Sequence, residues 1–224
     1  MSLQTRVIVL ESIEFLVIAL TLFLPAGTLA WPAAWVFLGL LFVSGLPMTW
    51  WLLKYDPGLV EERMRFRPQL ARDKVFFAIA LVFVLFWLML ISLDSVRFHW
   101  SRMPVELKTL GALLLLISLC ISFLTMRENP YSSAVVRVQK EREQTVISTG
   151  PYRYVRHPMY TGACLFFLGT ALLLGSWYGV LCTPVFISLF AVRAVLEERL
   201  LREELEGYDA YVVRVKYRFL PHIW

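Results

Sequence analysis

The sequence predicts an all-α integral membrane protein: a polytopic bundle of five to six transmembrane helices with a C-terminal helical hairpin and a cytoplasmic tail. Hydrophobic residues make up 58% of the chain and charged residues only 17%, whereas about a quarter of the residues in soluble domains are charged. The mean hydropathy of +0.65 agrees with this composition. The charge-poor stretches are also long, and each approaches the roughly 20 helical residues that cross a bilayer core.

Six stretches of the chain qualify as spans. They are residues 7–25, 33–53, 75–93, 105–126, 159–176 and 178–195. The last two are short, and little more than Ser176, Trp177 and Tyr178 joins them, so we expect a tight helical hairpin. Because these two stretches are short, five crossings is the alternative to six.

Lysine and arginine are unevenly distributed along the chain. They concentrate in residues 54–74, 127–156 and 193–218. Positively charged loops remain on the cytoplasmic side of membranes, so we expect these segments, and both termini, to be cytoplasmic. The net charge of +5 is then explained by this topology and by anionic lipid headgroups. It gives no reason to expect a nucleic-acid partner.

The chain divides into two parts. Residues 1–126 are N-terminal transmembrane helices with one basic inner loop, and residues 127–224 alternate polar segments with the terminal hairpin. The stretch 197–217 is charged throughout, and its leucines recur at helical spacing. This pattern predicts a cytoplasmic amphipathic helix that ends at Gly207.

Two glutamates, Glu11 and Glu14, interrupt the first apolar run and argue against a secretory signal peptide. They are three residues apart and share one helix face. One interpretation places them near the inner surface, paired with local arginines. The other makes them the polar lining of an intramembrane cavity.

Several kinds of chemistry lack their sequence signature. The glycines form neither a Gly-x-Gly-x-x-Gly loop nor a Walker motif, and the chain has no Gly-x-Ser-x-Gly elbow. His99, His157 and His222 lie far apart without metal-ligand spacing, so we expect no metal site.

Residues 150–162, which lead into the predicted span 159–176, are rich in charged and hydrogen-bonding side chains. Pro151 and Pro158 interrupt helix formation and predict a turn-rich connection at the membrane surface. Pro158 would begin a helix whose free amide groups favour an anion, with Arg156 and His157 beside it. The alternative is a plain membrane anchor in which Arg153 and Arg156 contact lipid headgroups.

The predicted hairpin returns Glu197 and Glu198 to the membrane face that carries His157, because its two helices are similar in length. Arg193 lies one turn before Glu197. Carboxylates beside arginines and a histidine suit a zwitterionic cofactor. The alternative is a pair of ordinary surface ion pairs, in which Arg193 meets Glu197 and Glu198 meets Arg202.

These motifs occur in a recognisable combination. It consists of Arg156-His157-Pro158-x-Tyr160-x-Gly162, a hydrophobic hairpin, Glu197-Glu198, and a tail with Tyr208, Tyr211, Arg214-Val215 and Pro221. The combination resembles the integral membrane methyltransferases of the isoprenylcysteine carboxyl methyltransferase family from Arg127 to the C-terminus. Residues 56–68 are similar to the inner loop of prokaryotic members, so we expect a prokaryotic cytoplasmic membrane protein. Arg-His-Pro-x-Tyr alone also occurs in membrane sterol and steroid reductases.

The resemblance implies S-adenosylmethionine as the methyl donor, bound in a cytoplasmic pocket. The cofactor-binding residues that it implies are Tyr152, Arg156, His157, Tyr160, Gly162, Glu197 and Glu198. Three of the chain's residues are predicted to be catalytic: Arg193 to orient an anionic acceptor, and Glu198 or His157 as the base for an amine acceptor. Asn129 and Tyr131 are expected at the border of the cavity.

The expected acceptor is lipophilic or lipidated, with the carboxylate of an isoprenylcysteine-like substrate favoured. Alternatives are phospholipid N-methylation, an NADPH-dependent membrane reductase, and a non-enzymatic transporter or scaffold. Besides substrate and membrane lipids we expect no further partner, and a monomer or weak dimer. Ala171 and Gly175 would allow a close helix–helix approach, with the span after Tyr178 as the expected neighbour.

Overall fold

The computed structural model describes residues 1–64, 71–132 and 137–224, and the regular elements in these ranges are helical. The α-helices are α1 (Leu3–Ala26), α2 (Pro32–Tyr55), α3 (Pro57–Met64), α4 (Ala71–Ser92), α5 (Val105–Glu128), α6 (Pro158–Leu174), α7 (Trp177–Glu204) and α8 (Tyr208–Arg214). A π-helical turn, Leu93–Arg97, extends α4, and short 3₁₀ turns occupy Lys140–Arg142 and Gly150–Arg153. The all-helical prediction is therefore confirmed.

Among the described residues, five helices are long and apolar enough to cross a membrane. They are Leu3–Ala26, Pro32–Tyr55, Phe77–Arg97, Val105–Glu128 and Trp177–Glu204. The fifth predicted span corresponds to the shorter apolar helix α6, which has 17 residues. The prediction of five to six spans is confirmed. Arg65, Arg67 and Pro68 of the predicted inner loop lie outside the described residues.

Proline and glycine set the ends of α6. Pro158 occupies the first turn, where its missing N–H costs no helical hydrogen bond. Gly175 follows the last turn with φ 86°, a left-handed conformation that residues with a Cβ rarely adopt. Because two residues then suffice to start α7, the hairpin is tight, as predicted.

The basic segments meet at one end of the bundle, which we call the basic end. Arg137, after α5, contacts Glu62 of α3 at 2.7 Å. Lys140 contacts Glu204, in the last turn of α7, at 3.0 Å. The loops that follow α2, α5 and α7 are therefore neighbours, as the charge distribution predicted.

At the opposite end of the helical bundle, a buried carboxylate links three segments by hydrogen bonds. Asp94, in the π-helical turn, accepts hydrogen bonds from Ser101 Oγ at 2.6 Å and Ser176 Oγ at 2.5 Å. These hydroxyls in turn accept hydrogen bonds from the first amides of α7, Trp177 N–H at 3.0 Å and Gly179 N–H at 2.9 Å. Asp94 thereby positions the N-terminal cap of α7.

Replacement of Asp94 by alanine should destabilise the bundle. It removes the acceptor of two buried hydroxyls, and a buried donor without a partner costs about 1–3 kcal/mol. We expect a lower thermal unfolding midpoint in detergent than for Ser95→Ala, whose hydroxyl bonds only within its own helix. Equal midpoints for the two variants would contradict this role of Asp94.

The interior is aromatic where α4, α6 and α7 meet. Trp87 is almost fully buried, and its Nε1 donates to Gly179 C=O at 3.0 Å. Its ring contacts Phe167 and Phe186 with 5.3 Å between centroids in both pairs. The indole therefore buries its apolar surface and satisfies its one polar atom.

The helix in closest contact with α6 is α5, whereas α7 is its neighbour at Ala171, as expected. A Cβ on Gly111 of α5 would lie 2.7 Å from Gly169 C=O of α6. Two glycines thus allow the two backbones to touch. Ala171 faces the next helix, 3.2 Å from the position of a Cβ on Gly179. Gly175 caps α6, and a Cβ there would lie 3.0 Å from Lys108 Cε of α5.

The bounds predicted for the helix in residues 197–217 are wrong. α7 continues without interruption from the hairpin to Glu204. Gly207, with φ 80°, precedes the short helix α8 instead of ending α7. The leucines at helical spacing belong to the last turns of α7, because one helix carries both the apolar span and its polar extension.

Glu11 accepts a hydrogen bond from Thr49 of α2, so it joins the first two helices. Glu14 is exposed on α1. Neither glutamate contributes to the cavity described below. The interpretation as a polar cavity lining has no support at that site.

Candidate functional site

The connection before α6 folds as its prolines predict. Gly150–Arg153 forms one 3₁₀ turn, and α6 begins at Pro158. Between them the backbone pairs with the C-terminal tail: Arg156 N–H donates to Tyr217 C=O and His157 N–H to Arg218 C=O, both at 2.9 Å. The tail is thereby held against the start of α6.

A buried ion cluster lies under this pairing, centred on Glu198. One carboxylate oxygen accepts from Arg156 Nε at 2.7 Å and lies 3.1 Å from His157 Nε2. The other accepts from Arg218 Nε at 3.0 Å. Arg156 is 6% exposed and Glu198 is 3% exposed. The alternative in which Arg156 anchors lipid headgroups is therefore wrong.

The neighbouring carboxylate, Glu197, has different partners. Tyr160 donates its hydroxyl to Glu197 at 2.7 Å and accepts from Arg193 Nε at 2.9 Å. His157 Nδ1 lies 4.0 Å from the same Glu197 oxygen, and the His157 and Tyr160 rings stack with centroids 5.3 Å apart. The two motifs are neighbours, as the hairpin geometry predicted. Neither Glu198 nor Arg202 forms the predicted surface pair, because Arg202 contacts Asp209 at 3.1 Å.

A cavity of about 390 Å³ opens beside these residues. Its apolar half lies between α4, α6 and α7 and is lined by Phe77, Ala80, Val84, Phe167, Phe186, Leu189 and Phe190. Its polar half lies at the basic end and includes Arg63, Asn129, Tyr131, Arg137, Gln144, Tyr152, Arg156, His157, Tyr160, Arg193, Glu197, Tyr208 and Tyr211. One cavity therefore joins the interior of the helical bundle to its polar loops.

Most of the predicted site residues line this cavity. They are Tyr152, Arg156, His157, Tyr160, Arg193 and Glu197. Two predicted residues do not. Glu198 lies behind the wall in the ion cluster, and Gly162 faces α5, where Ser118 Oγ donates to its carbonyl at 2.7 Å. Their assignment as cofactor-binding residues stays a prediction.

The segment after α5 covers the polar half. Asn129 Nδ2 donates to the Tyr152 hydroxyl at 2.8 Å, and both Asn129 and Tyr131 line the cavity where the sequence placed them. The fully buried Gln139 donates to Tyr131 C=O at 2.8 Å. Arg142 donates to Pro130 C=O at the same distance. These hydrogen bonds make the cover an ordered wall.

Three buried tyrosines of the polar half carry neutral hydroxyl groups. Burial raises the pKa of Tyr152, Tyr208 and Tyr211 above that of a free phenol. The negative charge of Glu197 raises the pKa of Tyr152 and Tyr208 further. At neutral pH their hydroxyl groups stay protonated. They can hydrogen-bond a ligand without adding negative charge to the wall.

Sequence reasoning missed the contributions of α3 and α4 to the cavity. The resemblance implies that the C-terminal tail also forms the pocket, but it named no tail residue for the site. Arg63 lies 69 residues from Ser132 in the chain and donates to its carbonyl at 3.1 Å. No spacing in the sequence connects two such segments. Tyr208 and Tyr211 belong to the recognised tail motif, which was the available signal for placing them at the site.

Within the described ranges, no group of three or more histidine, cysteine, aspartate or glutamate side chains could hold a metal ion. The polar half of the cavity instead presents guanidinium, imidazole, phenol and one carboxylate group. This set can bind an organic zwitterion through charge-assisted hydrogen bonds.

Comparisons with known proteins show what part of this chain is similar to. Residues 107–206 match the family model described as phospholipid methyltransferase. This region of the chain is therefore similar to phospholipid methyltransferases, in agreement with the resemblance that the motifs indicate.

A curated relative narrows the comparison. The protein-S-isoprenylcysteine O-methyltransferase of Schizosaccharomyces pombe (strain 972 / ATCC 24843) is 33% identical to this chain over 85 residues. The match covers 37% of this chain and 36% of the relative. The chain thus aligns with little more than a third of that protein's length.

Proposed function

We propose that this protein transfers a methyl group from S-adenosylmethionine to a lipophilic acceptor, with an isoprenylcysteine-like carboxylate as the acceptor. One observation carries the proposal: a single cavity has an apolar half between membrane helices and a polar half among the basic loops. Such a cavity can take one substrate from the bilayer and another from water. The family match of residues 107–206 supports the same chemistry.

The residues of the polar half fit S-adenosylmethionine. The cofactor carries a carboxylate, an ammonium, a sulfonium and hydroxyl groups. The cavity offers guanidinium groups for the first, Glu197 for a positive group, and Asn129, Tyr152 and Tyr208 for the hydroxyls. Phe190, which lines the cavity beside Tyr160, offers an aromatic ring that can attract a cation. The volume lies within the range of about 300–1,000 Å³ for small-molecule sites.

When bound, the donor supplies an electrophilic methyl group: the carbon–sulfur bond breaks, the sulfur keeps the electron pair as a thioether, and the acceptor oxygen forms the new bond. The protein's residues position the acceptor. Arg193 stands where the apolar half meets the polar half, with its guanidinium 5.1 Å from the Phe77 ring. It can orient an anionic headgroup while Phe186, Leu189 and Phe190 hold an apolar chain. Positioning and exclusion of water then provide the rate enhancement.

The placement of Glu198 favours a carboxylate acceptor over an amine. A carboxylate is already nucleophilic and releases no proton on methylation, whereas an ammonium must first lose one. Glu198 lies behind the cavity wall and is bonded to Arg156, His157 and Arg218. It is therefore poorly placed to accept a substrate proton.

Phospholipid N-methylation is the second candidate, because the matching family model is described as phospholipid methyltransferase. In that reaction His157 would be the cavity-lining base, with Nδ1 directed towards Glu197. The reported matches are both to methyltransferases, and they lend no support to the reductase or transporter alternatives.

The test is transfer of tritiated methyl groups from S-adenosylmethionine by the purified protein in lipid nanodiscs. We expect label in N-acetyl-S-farnesylcysteine that alkali releases as methanol, since methyl esters hydrolyse. Arg193→Gln should lower kcat/KM about 10- to 100-fold, because hydrogen bonds between charged groups contribute roughly 1.5–3 kcal/mol. Arg202→Gln, which removes an exposed arginine of the same helix, is the matched control. Alkali-stable label in phosphatidylethanolamine would instead establish N-methylation.

A further inference from the structure

One arginine that lines the cavity, Arg63, has no role of its own in the proposed reaction. Arg63 projects from α3, outside the membrane-spanning helices, and lines the polar half. Its Nη1 donates to Ser132 C=O at 3.1 Å. Burial lowers the pKa of this guanidinium below its usual range. The residue as a whole is half-buried, so its charge is partly withdrawn from water.

The other arginines of the cavity have identified partners. Arg137 contacts Glu62 at 2.7 Å and Glu141 at 2.6 Å, and Arg156 contacts Glu198 at 2.7 Å. Arg193 donates to Tyr160. In the parts of the chain that the structure describes, Arg63 is in none of the ion pairs. A partly desolvated guanidinium without a carboxylate favours an anionic ligand, because burying an unpaired charge is costly.

The neighbours of Arg63 indicate which ligand group it would meet. Arg63 and Tyr152 line the same polar half of the cavity, and the charge of Arg63 opposes the rise that burial causes in the pKa of Tyr152. Tyr152 accepts from Asn129 Nδ2 at 2.8 Å on the same polar wall. Arg193, in contrast, contacts Phe77 beside the apolar half. Arg63 thus lies among the polar loops, whereas Arg193 lies where the two halves of the cavity meet.

We propose that Arg63 binds the carboxylate of the methyl donor's amino-acid portion, leaving Arg193 for the acceptor. This assignment rests on the proposed function and adds a residue from α3 to the site. Guanidinium groups bind carboxylates through two parallel N–H donors, and one nitrogen of Arg63 is already fixed by Ser132. The fixed nitrogen orients the group towards a ligand arriving from the aqueous side.

The test measures binding rather than turnover, by calorimetry with two probes. The first is S-adenosylmethionine, and the second is its decarboxylated analogue, which keeps the adenosine, sulfonium and amine. We expect Arg63→Gln to lower the affinity for S-adenosylmethionine about 10- to 100-fold, the range for hydrogen bonds between charged groups. Affinity for the decarboxylated analogue should stay within about twofold, since the lost interaction involves only the carboxylate. Arg63→Lys should restore only part of the affinity, because an ammonium keeps the charge but lacks the two parallel donors. Arg202→Gln should bind both probes like the wild type.

Other outcomes would overturn the assignment. If Arg63→Gln weakened the binding of both probes equally, Arg63 would have only a structural role, through its hydrogen bond to Ser132. Unchanged binding of S-adenosylmethionine, with a raised KM for N-acetyl-S-farnesylcysteine, would show that Arg63 binds the carboxylate of the acceptor instead. If wild-type protein bound neither probe, the proposed function itself would fail, and the assignment with it.

Discussion

Replacing Glu198 by glutamine should destabilise the protein more than any other single loss of charge at the site. The side chain keeps its shape, but Arg156 loses its counter-ion while only 6% exposed. Removing one partner of a buried ion pair costs about 3–5 kcal/mol, because the other charge stays buried without compensation. Arg218 and His157 contact the same carboxylate, so the tail and the start of α6 should loosen together.

Thermal unfolding in detergent, followed by tryptophan fluorescence, measures this effect. Glu203→Gln is the matched control, because Glu203 lies in the same helix and is exposed. Exposed substitutions change the free energy of unfolding by no more than about 0.5 kcal/mol. A Glu198→Gln midpoint that matches the control would show that the ion cluster does not hold the tail.

Alanine at Gly111 should produce the second large effect. The added Cβ would lie 2.4 Å from Leu173 N and 2.7 Å from Gly169 C=O. Both are backbone atoms, which move only if α5 and α6 separate. Overpacking a close contact costs about 1–3 kcal/mol and occasionally more, and we expect the upper end of this range.

Gly39→Ala provides the control in another span. Nothing lies within 4 Å of a Cβ at Gly39, and alanine is the better helix former by up to about 1 kcal/mol. We expect its unfolding midpoint to equal or exceed that of the wild type, and that of Gly111→Ala to fall clearly below it. If the two variants unfolded alike, the close α5–α6 approach would be disproved.

Composition and periodicity predicted the spans because membrane insertion depends on length and hydropathy, which are properties of contiguous sequence. The proximity of His157 and Glu198 was predictable for a related reason. Two helices joined by a tight turn return their far ends to one place. These features need only local geometry and one short connection.

The remaining features depend on contacts between segments that are distant in sequence. Gly111 and Gly169 approach each other because no side chain separates them, and no spacing rule links two positions on different helices. Arg63 reaches the cavity only because α3 packs beneath the segment after α5. Gly162 was assigned to the pocket through its motif, whereas its position is explained by packing against α5.

The bounds of α7 show a further limit of pattern reading. The change from apolar to charged residues near Glu197 predicts the end of a span and the start of another helix. The helical hydrogen bonds continue through this change to Glu204, because polarity of side chains does not interrupt a backbone ladder. That continuity holds Glu197 and Arg193 on one rigid element at the cavity wall.

The measurement that tests the central proposal most directly is calorimetric binding of S-adenosylmethionine, with NADPH as control ligand, to wild-type protein and to Glu197→Gln. We expect the wild type to bind S-adenosylmethionine and not NADPH. Glu197→Gln should bind S-adenosylmethionine at least about tenfold more weakly, because Glu197 is the one carboxylate among the described residues that line the cavity. Binding of NADPH alone, or of S-adenosylmethionine with unchanged affinity in the variant, would contradict the proposed cofactor site.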